Sequence, residues 1–304
     1  MKASLLIVGG GGFIGSNLAK KANKRGYKVF VISLNSPKKN LRIKGVKYLK
    51  ADITDYNYLK NTLHNHSFDY VVNLSGYINH SDFLNGGNET IDVHFDGVRN
   101  ILRIINWGKI KRFVQIGSSD EYGSLPAPQN EEMNEEPISS YSLAKVATTK
   151  MLRMLYRTEN FPAVILRLFL VFGPGQNDNR FIPQVIQGCL SGINFPTSVG
   201  EQLRDFCYVD DVCNGILLCL TNDNVNGEVI NIASGKPIAI HQVIRMIQKN
   251  INSGIPEFGQ LPYRKVENMN LYADISKSKK ILNWTPKVSL EEGVLKTIES
   301  YRNI

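Results

Sequence analysis

A chain of 304 residues, 42% hydrophobic and 21% charged, is long enough to bury one large or two modest cores and too apolar to be disordered. Thirty-six Lys and Arg against 27 Asp and Glu give a formal charge of +9, yet twelve of those bases fall in residues 1–51, before the first acid at Asp52. The basic excess therefore belongs to the N-terminal sixth, where it fits an anionic ligand or nucleic acid, with a solvated lysine-rich helix face as the plain alternative.

Strands are predicted at Ser4–Val8, Lys28–Ser33, Val46–Leu49, Tyr70–Leu74, Arg112–Gly117 and Ala163–Leu168, separated by helices at about 13–25, 55–65, 86–107 and 139–159. Strand–helix alternation of this kind predicts a Rossmann-like, doubly wound parallel sheet covered on both faces, here over residues 1–172. After Gly173-Pro174-Gly175 the pattern changes to shorter helices (about 180–191, 209–221, 239–252, 275–282 and 289–302) and short strands near 204–208 and 228–232. Residues 173–304 are therefore expected to form mainly a smaller C-terminal α+β substrate lobe, with later segments returning to the first domain.

The longest apolar run, Ala163 to Phe172, is interrupted by Arg167 and is half the roughly 20 residues a membrane span needs. Leu5–Val8 is too short for a signal-peptide core, so a cytoplasmic protein with no membrane partner is expected. Cys189, Cys207, Cys213 and Cys219 form no C-x-x-C pair and have no His among them, which predicts reduced, buried thiols and no metal site.

The first strand runs into Gly9-Gly10-Gly11-Gly12-Phe13-Ile14-Gly15 and then an amphipathic helix bearing Ile14, Leu18 and Ala22. Gly9, Gly12 and Gly15 have the spacing of a dinucleotide loop, in which the backbone turns tightly and a pyrophosphate rests on the free N–H groups of the helix N-terminus. At the end of the second strand, NAD sites usually carry an acid for the ribose hydroxyls. This chain has Ser33, followed by Ser36, Lys38 and Lys39, donors suited to a 2′-phosphate, so NADP(H) is the favoured cofactor and NAD(H) the other candidate.

Tyr141 and Lys145 lie one turn apart near the start of a helix, where a nearby ammonium lowers a phenol pKa and makes Tyr141 a usable acid or base. Gly117-Ser118-Ser119-Asp120-Glu121-Tyr122-Gly123 follows a buried strand and places Ser118 on the sheet edge where ligands collect.

With these motifs in view, the chain resembles the extended short-chain dehydrogenases/reductases, in particular their nucleotide-sugar epimerases, dehydratases and ketoreductases. The resemblance spans almost the full length and rests on Gly9–Gly15, Asp52-Ile53, Gly117–Gly123, Tyr141–Lys145, Leu166–Gly175, Arg204–Asp211, Ala273-Asp274 and Leu282–Pro286. It implies Ser118, Tyr141 and Lys145 as the catalytic triad, Asp52 and Ile53 beside the adenine, and Leu74-Ser75-Gly76 along the cofactor. It further implies Arg204 and Arg264 on the nucleotide diphosphate, Ser118 and Ser119 beside the sugar, and a homodimer built on the helices near 86–107 and 139–159. Leu170 stands where the family often has Asn, Val98 where Thr is usual and Asn283 where Gly is usual.

Three reactions share this apparatus. The NADP(H) preference at Ser33–Lys39 points to reduction of a nucleotide-linked 4-keto-6-deoxy sugar, with hydride to C4 and Tyr141 as proton donor. A 4-epimerase or a 4,6-dehydratase with Asp120 as its acid is the alternative, since Asp120 sits where some dehydratases of the family carry that group. A non-catalytic module, nucleic-acid-binding or regulatory, is the remote reading, because the Ser118–Tyr141–Lys145 set is intact and no basic stretch is interleaved with aromatics for base stacking.

Overall fold

The structure is a computed structural model and describes residues 2–35, 37–263 and 267–302. Its first half runs β1 (Ser4–Val8), α1 (Phe13–Lys24), β2 (Lys28–Ser33), β3 (Lys47–Lys50), α2 (Tyr56–Leu63) and β4 (Tyr70–Asn73). Helices α3 (Gly87–Ile91) and α4 (Gly97–Ile104) follow, joined through a π-helical turn over Asp92–Asp96, and then come β5 (Arg112–Ser118), α5 (Ser140–Glu159) and β6 (Ala163–Leu168). The second half comprises β7 (Leu170–Phe172), α6 (Phe181–Leu190), β8 (Asn194–Thr197), β9 (Leu203–Tyr208), α7 (Val209–Thr221) and β10 (Val229–Ile232). It closes with β11 (Pro237–Ala239), α8 (Ile240–Ile251), β12 (Ile255–Phe258), β13 (Asn270–Leu271), α9 (Ser276–Leu282) and α10 (Leu290–Arg302).

Seven strands form one sheet in the order β10-β6-β5-β4-β1-β2-β3, all parallel. Alternation along the strands sends Leu5, Ile7, Val29, Val31, Val72 and Val114 to a core shared with α1 and α7. Leu6, Val8, Phe30, Ile32, Val71 and Phe113 go to a core under α2, α4 and α5 on the other face. With both faces buried, these strands read as unbroken apolar runs, the signature of a parallel sheet covered by helices. The order reverses between β1 and β4, which opens a crevice at their C-terminal ends.

The short strands expected near 204–208 and 228–232 have different destinations. Strand β10 pairs with β6 at the edge of the main sheet, whereas β9 centres a small separate sheet with β7, β11 and β13. Strands β7, β8, β11, β12 and β13 have no counterpart in the sequence reading, because runs of two to four residues show no period to detect. The single helix expected at about 86–107 is interrupted by the π turn and stops at Ile104. All four cysteines are free and buried, and burial pushes the Cys213 and Cys219 thiols up to about 12. Among the described residues, no helix is long and apolar enough to cross a membrane.

Arg167, the charge inside the apolar run of β6, is fully buried. Its guanidinium pairs with Glu121 at 3.0 Å and Glu135 at 2.7 Å. Replacing Arg167 by Met leaves the buried Glu121 carboxylate without its counter-charge and is expected to cost about 3–5 kcal/mol. Urea unfolding of the two proteins measures this; a loss below about 1 kcal/mol would contradict the role given to the pair.

Candidate active site

The loop after β1 is shaped by contacts that exclude side chains. Gly9 has φ +78°, and a Cβ there would lie 2.7 Å from the Leu74 backbone, so the loops after β1 and β4 touch directly at the reversal of strand order. A Cβ on Gly15 would lie 2.5 Å from the Gly9 carbonyl oxygen and the Gly10 Cα, which brings α1 down onto the turn. Gly12, the N-cap of α1, differs: its φ is an ordinary −81°, and a Cβ would meet nothing nearer than the Gly9 oxygen at 3.4 Å. Nothing among the described residues therefore requires glycine at this position. Among the described residues no side chain caps α1, and its first turn carries no acid, so the helix N-terminus faces the crevice as a bare anion-binding end. These features fit the pyrophosphate of a dinucleotide.

A cleft of about 1230 Å³ runs from this loop over the ends of β4 and β5 into the second lobe. Gly9, Gly12, Phe13, Ile14, Gly15 and Ser33 line its start, followed by Asp52, Ile53, Leu74, Ser75 and Gly76. Ser118, Ser119, Asp120, Tyr141 and Lys145 line its middle, and Leu170 and Arg204 its far wall. Lys38 and Lys39 are exposed and take no part in the lining, and the Ser33 hydroxyl donates to the Asn35 carbonyl at 2.8 Å. Ser36 and Arg264 lie outside the described residues. Arg204 forms an ion pair with Glu267, which lines the same wall.

Ser118 ends β5, and its backbone N–H donates to the Glu121 carboxylate at 2.9 Å. Tyr141 and Lys145 sit in the first turns of α5, whose N-cap Ser139 accepts from Ser142 N–H. Lys145 is buried, donates to the Ile116 carbonyl at 2.8 Å, and holds its Nζ 5.7 Å from the centre of the Tyr141 ring. Burial pushes this ammonium down to about 8, against the opposing pull of Glu121 and Asp120. The lowered phenol pKa expected for Tyr141 is not what the site produces. Burial, and next the negative charge of Asp120, raise it, while a hydrogen bond with Ser118 acts the other way. Tyr141 therefore stands as a neutral phenol, ready to donate a proton.

Two imidazoles flank that phenol edge-on, and sequence reasoning identified neither. His94, in the π turn, packs 5.0 Å from the Tyr141 ring and donates from Nε2 to the Tyr77 carbonyl at 2.8 Å. Burial, reinforced by the charge of Lys145, brings its pKa down to about 3, so it is neutral at any working pH. A Cβ on Gly76 would lie 2.1 Å from the His94 ring, which explains the glycine there. His80 packs 5.7 Å from the Tyr141 ring and places Nε2 3.5 Å from Asp120 Oδ2. A π turn is a frequent mark of a functional site, but no residue spacing announces it.

The glycine geometry separates two substitutions. Gly12→Ala is expected to leave the unfolding midpoint unchanged and weaken dinucleotide binding at least about tenfold, since the methyl intrudes only on the ligand. Gly15→Ala is expected to cost about 1–3 kcal/mol of stability through overpacking. Calorimetric unfolding and cofactor titration of both variants decide; a Gly12→Ala protein that binds dinucleotide normally would remove the pyrophosphate from this loop.

Residues 5–233 match the NAD dependent epimerase/dehydratase family. The chain is 30% identical to the UDP-N-acetyl-alpha-D-glucosaminuronate decarboxylase of Bacillus cytotoxicus, an alignment covering 100% of this chain and 99% of that protein. The UDP-glucose 4-epimerase of Thermotoga maritima, solved with UDP-glucose, superposes with a TM-score of 0.89 at 26% identity over 99% of each chain. The UDP-glucuronic acid 4-epimerase of Bacillus cereus, solved with UDP-glucuronic acid and NAD, does so with a TM-score of 0.86 at 25% identity, again over 99% of each. A bare anion-binding helix end, a buried Ser–Tyr–Lys set in the same cleft and a match over most of the length agree: the chain is an enzyme and belongs to the NAD-dependent epimerase/dehydratase family.

Proposed function

We propose that this enzyme carries out a redox-neutral conversion of a nucleotide-linked hexose that begins with oxidation at C4, as a 4-epimerase or 4,6-dehydratase, with NAD as a resident cofactor. The observation that carries the reading is the placement of Ser118, Tyr141 and Lys145 beside the glycine cradle in one continuous cleft. NAD in that cradle supplies the hydride acceptor and donor. Oxidation at C4 needs Tyr141 as its anion, a form that the positive charges of oxidised nicotinamide and Lys145 would favour over the neutral phenol. Tyr141 then takes the C4 hydroxyl proton and returns it on reduction, Ser118 holds the same oxygen, and Lys145 lies behind the phenol toward the nicotinamide ribose. The cleft continues past Leu170 to Arg204, which gives the nucleotide diphosphate a place in the second lobe.

Two observations favour this reading over the reductase expected from sequence. Relatives of the chain are nucleotide-sugar 4-epimerases and decarboxylases, and the family takes its name from NAD. Lys38 and Lys39, half of the argument for a 2′-phosphate, do not line the cleft. Within the proposal, Asp120 favours the dehydratase, because its carboxylate stands in the cleft where its charge acts on both Tyr141 and Lys145. A homodimer packed on α5 is consistent with Leu143 and Met154, apolar residues that this helix leaves exposed.

The test is nuclear magnetic resonance of UDP-glucose, UDP-glucuronic acid and dTDP-glucose incubated with the purified enzyme and no added reductant. A new nucleotide sugar without net change in nicotinamide is expected, and Tyr141→Phe is expected to lower its rate by at least about 100-fold while cofactor affinity stays within about twofold. Stoichiometric NADPH consumption with a 4-keto-6-deoxy sugar nucleotide, and no conversion without it, would replace the proposal by the reductase.

A further inference from the structure

His80 lies outside every motif that identifies the family, yet it closes the substrate side of the site. Its ring stands edge-on to Tyr141, 5.7 Å between centres and 79° between planes. Its Nε2 is 3.5 Å from Asp120 Oδ2, and both side chains line the cleft. At 3.5 Å the contact is longer than a formed hydrogen bond, the loose state expected before substrate closes a catalytic pair. Asp120 comes from the turn after β5 and His80 from the loop after β4, so the two converge from adjacent strands across the crevice. An imidazole is the stronger base of the two chemical types and becomes a cation on taking the proton, which leaves the carboxylate charged and ready to act again.

We propose that His80 is a positioning residue and proton relay for Asp120, and that the pair serves proton transfer at C5, the carbon next to the one that Tyr141 serves. The inference rests on the proposed oxidation at C4. Once C4 is a ketone, the C5–H bond breaks and its electron pair moves into the C4 carbonyl, giving an enolate held by Tyr141 and Ser118. The proton passes to the Asp120 carboxylate and on to the His80 imidazole. Return of a solvent proton to C5 gives exchange. Departure of the C6 hydroxyl, protonated by the same pair and leaving as water, gives the 4-keto-5,6-ene. Return to C6 of the hydride taken from C4, with a proton to C5, completes the redox-neutral 4,6-dehydration.

The experiment follows two signals from the NAD-loaded enzyme in D2O with UDP-glucose, UDP-glucuronic acid and dTDP-glucose: near-ultraviolet absorbance of reduced nicotinamide and deuterium at C5 by mass spectrometry. The native enzyme is expected to show both. His80→Gln is expected to slow deuterium incorporation by about 10–100-fold and leave nicotinamide reduction within about twofold, and Asp120→Asn combined with it to be no slower than Asp120→Asn alone. An equal fall in both signals, or no fall in either, would overturn the relay. Nicotinamide reduction without deuterium in the native enzyme would overturn the relay and keep the C4 reading. No reduction with any of the three sugars would overturn that reading and the relay with it.

Discussion

The buried carboxylate of Glu121 is the contact on which the arrangement of the site depends. One oxygen accepts from the Ser118 N–H at 2.9 Å; the other accepts from Thr149 of α5 at 2.8 Å and from Nε of Arg167 in β6 at 3.1 Å. Three elements that each carry or flank a catalytic group are thus tied through one anion with no exposed surface. The geometry leaves no room for a side chain at Gly117, where a Cβ would stand 2.5 Å from Glu121 Oε1. A carboxylate so placed is costly without charge compensation, and Arg167 provides it from a strand position that otherwise calls for an aliphatic residue. The strand end carrying Ser118 and the helix turn carrying Tyr141 are consequently held by the same network.

The electrostatic character of the site follows from that burial. Tyr141 and Lys145 are both nearly inaccessible, and desolvation moves each toward its neutral form: the phenol up, the ammonium down to about 8. Spacing one turn apart on a helix encourages the opposite inference for the tyrosine, that the ammonium stabilises its anion. The structure shows why this fails here: the Lys145 Nζ is engaged by the Ile116 carbonyl, and the negative charge of Asp120 acts on the phenol. Burial of both partners outweighs their mutual attraction.

Much of the fold was legible in the sequence because parallel strands buried on both faces leave unbroken apolar runs. Ser4–Val8, Lys28–Ser33 and Ala163–Leu168 appear at the predicted bounds for that reason. The dinucleotide loop was legible because Gly9 and Gly15 answer to backbone contacts of 2.5–2.7 Å that leave no room for a side chain, with Gly12 spaced between them. What escaped reading depends on contacts distant in sequence. Nothing in the spacing around Glu121 points to a buried ion pair, and only the register of β5 on β6 brings it to Arg167. His94 reaches Tyr141 through a π turn, and His80 through an irregular loop, neither of which has a sequence period.

The basic N-terminal segment takes a different meaning once folded. Lys21 of α1 contacts Asp210 at 3.4 Å and the Asn214 side chain at 3.2 Å, and Arg25 bonds the same Asn214 at 2.9 Å. Asp210 lies in the first turn of α7, so the acid that pairs with α1 comes from far downstream in the chain. Lys28 and Lys47 lie over the Phe30 ring at 5.5 and 5.4 Å, and Arg42 over Tyr48 at 5.5 Å, covering apolar surface with their stems. Five of the twelve bases are thus engaged, Lys21 and Arg25 by α7 and Lys28, Arg42 and Lys47 by aromatic rings of their own segment. The anion-binding capacity of that region resides instead in uncharged groups, the backbone N–H groups at the start of α1, which favour a phosphate without help from Lys38 or Lys39.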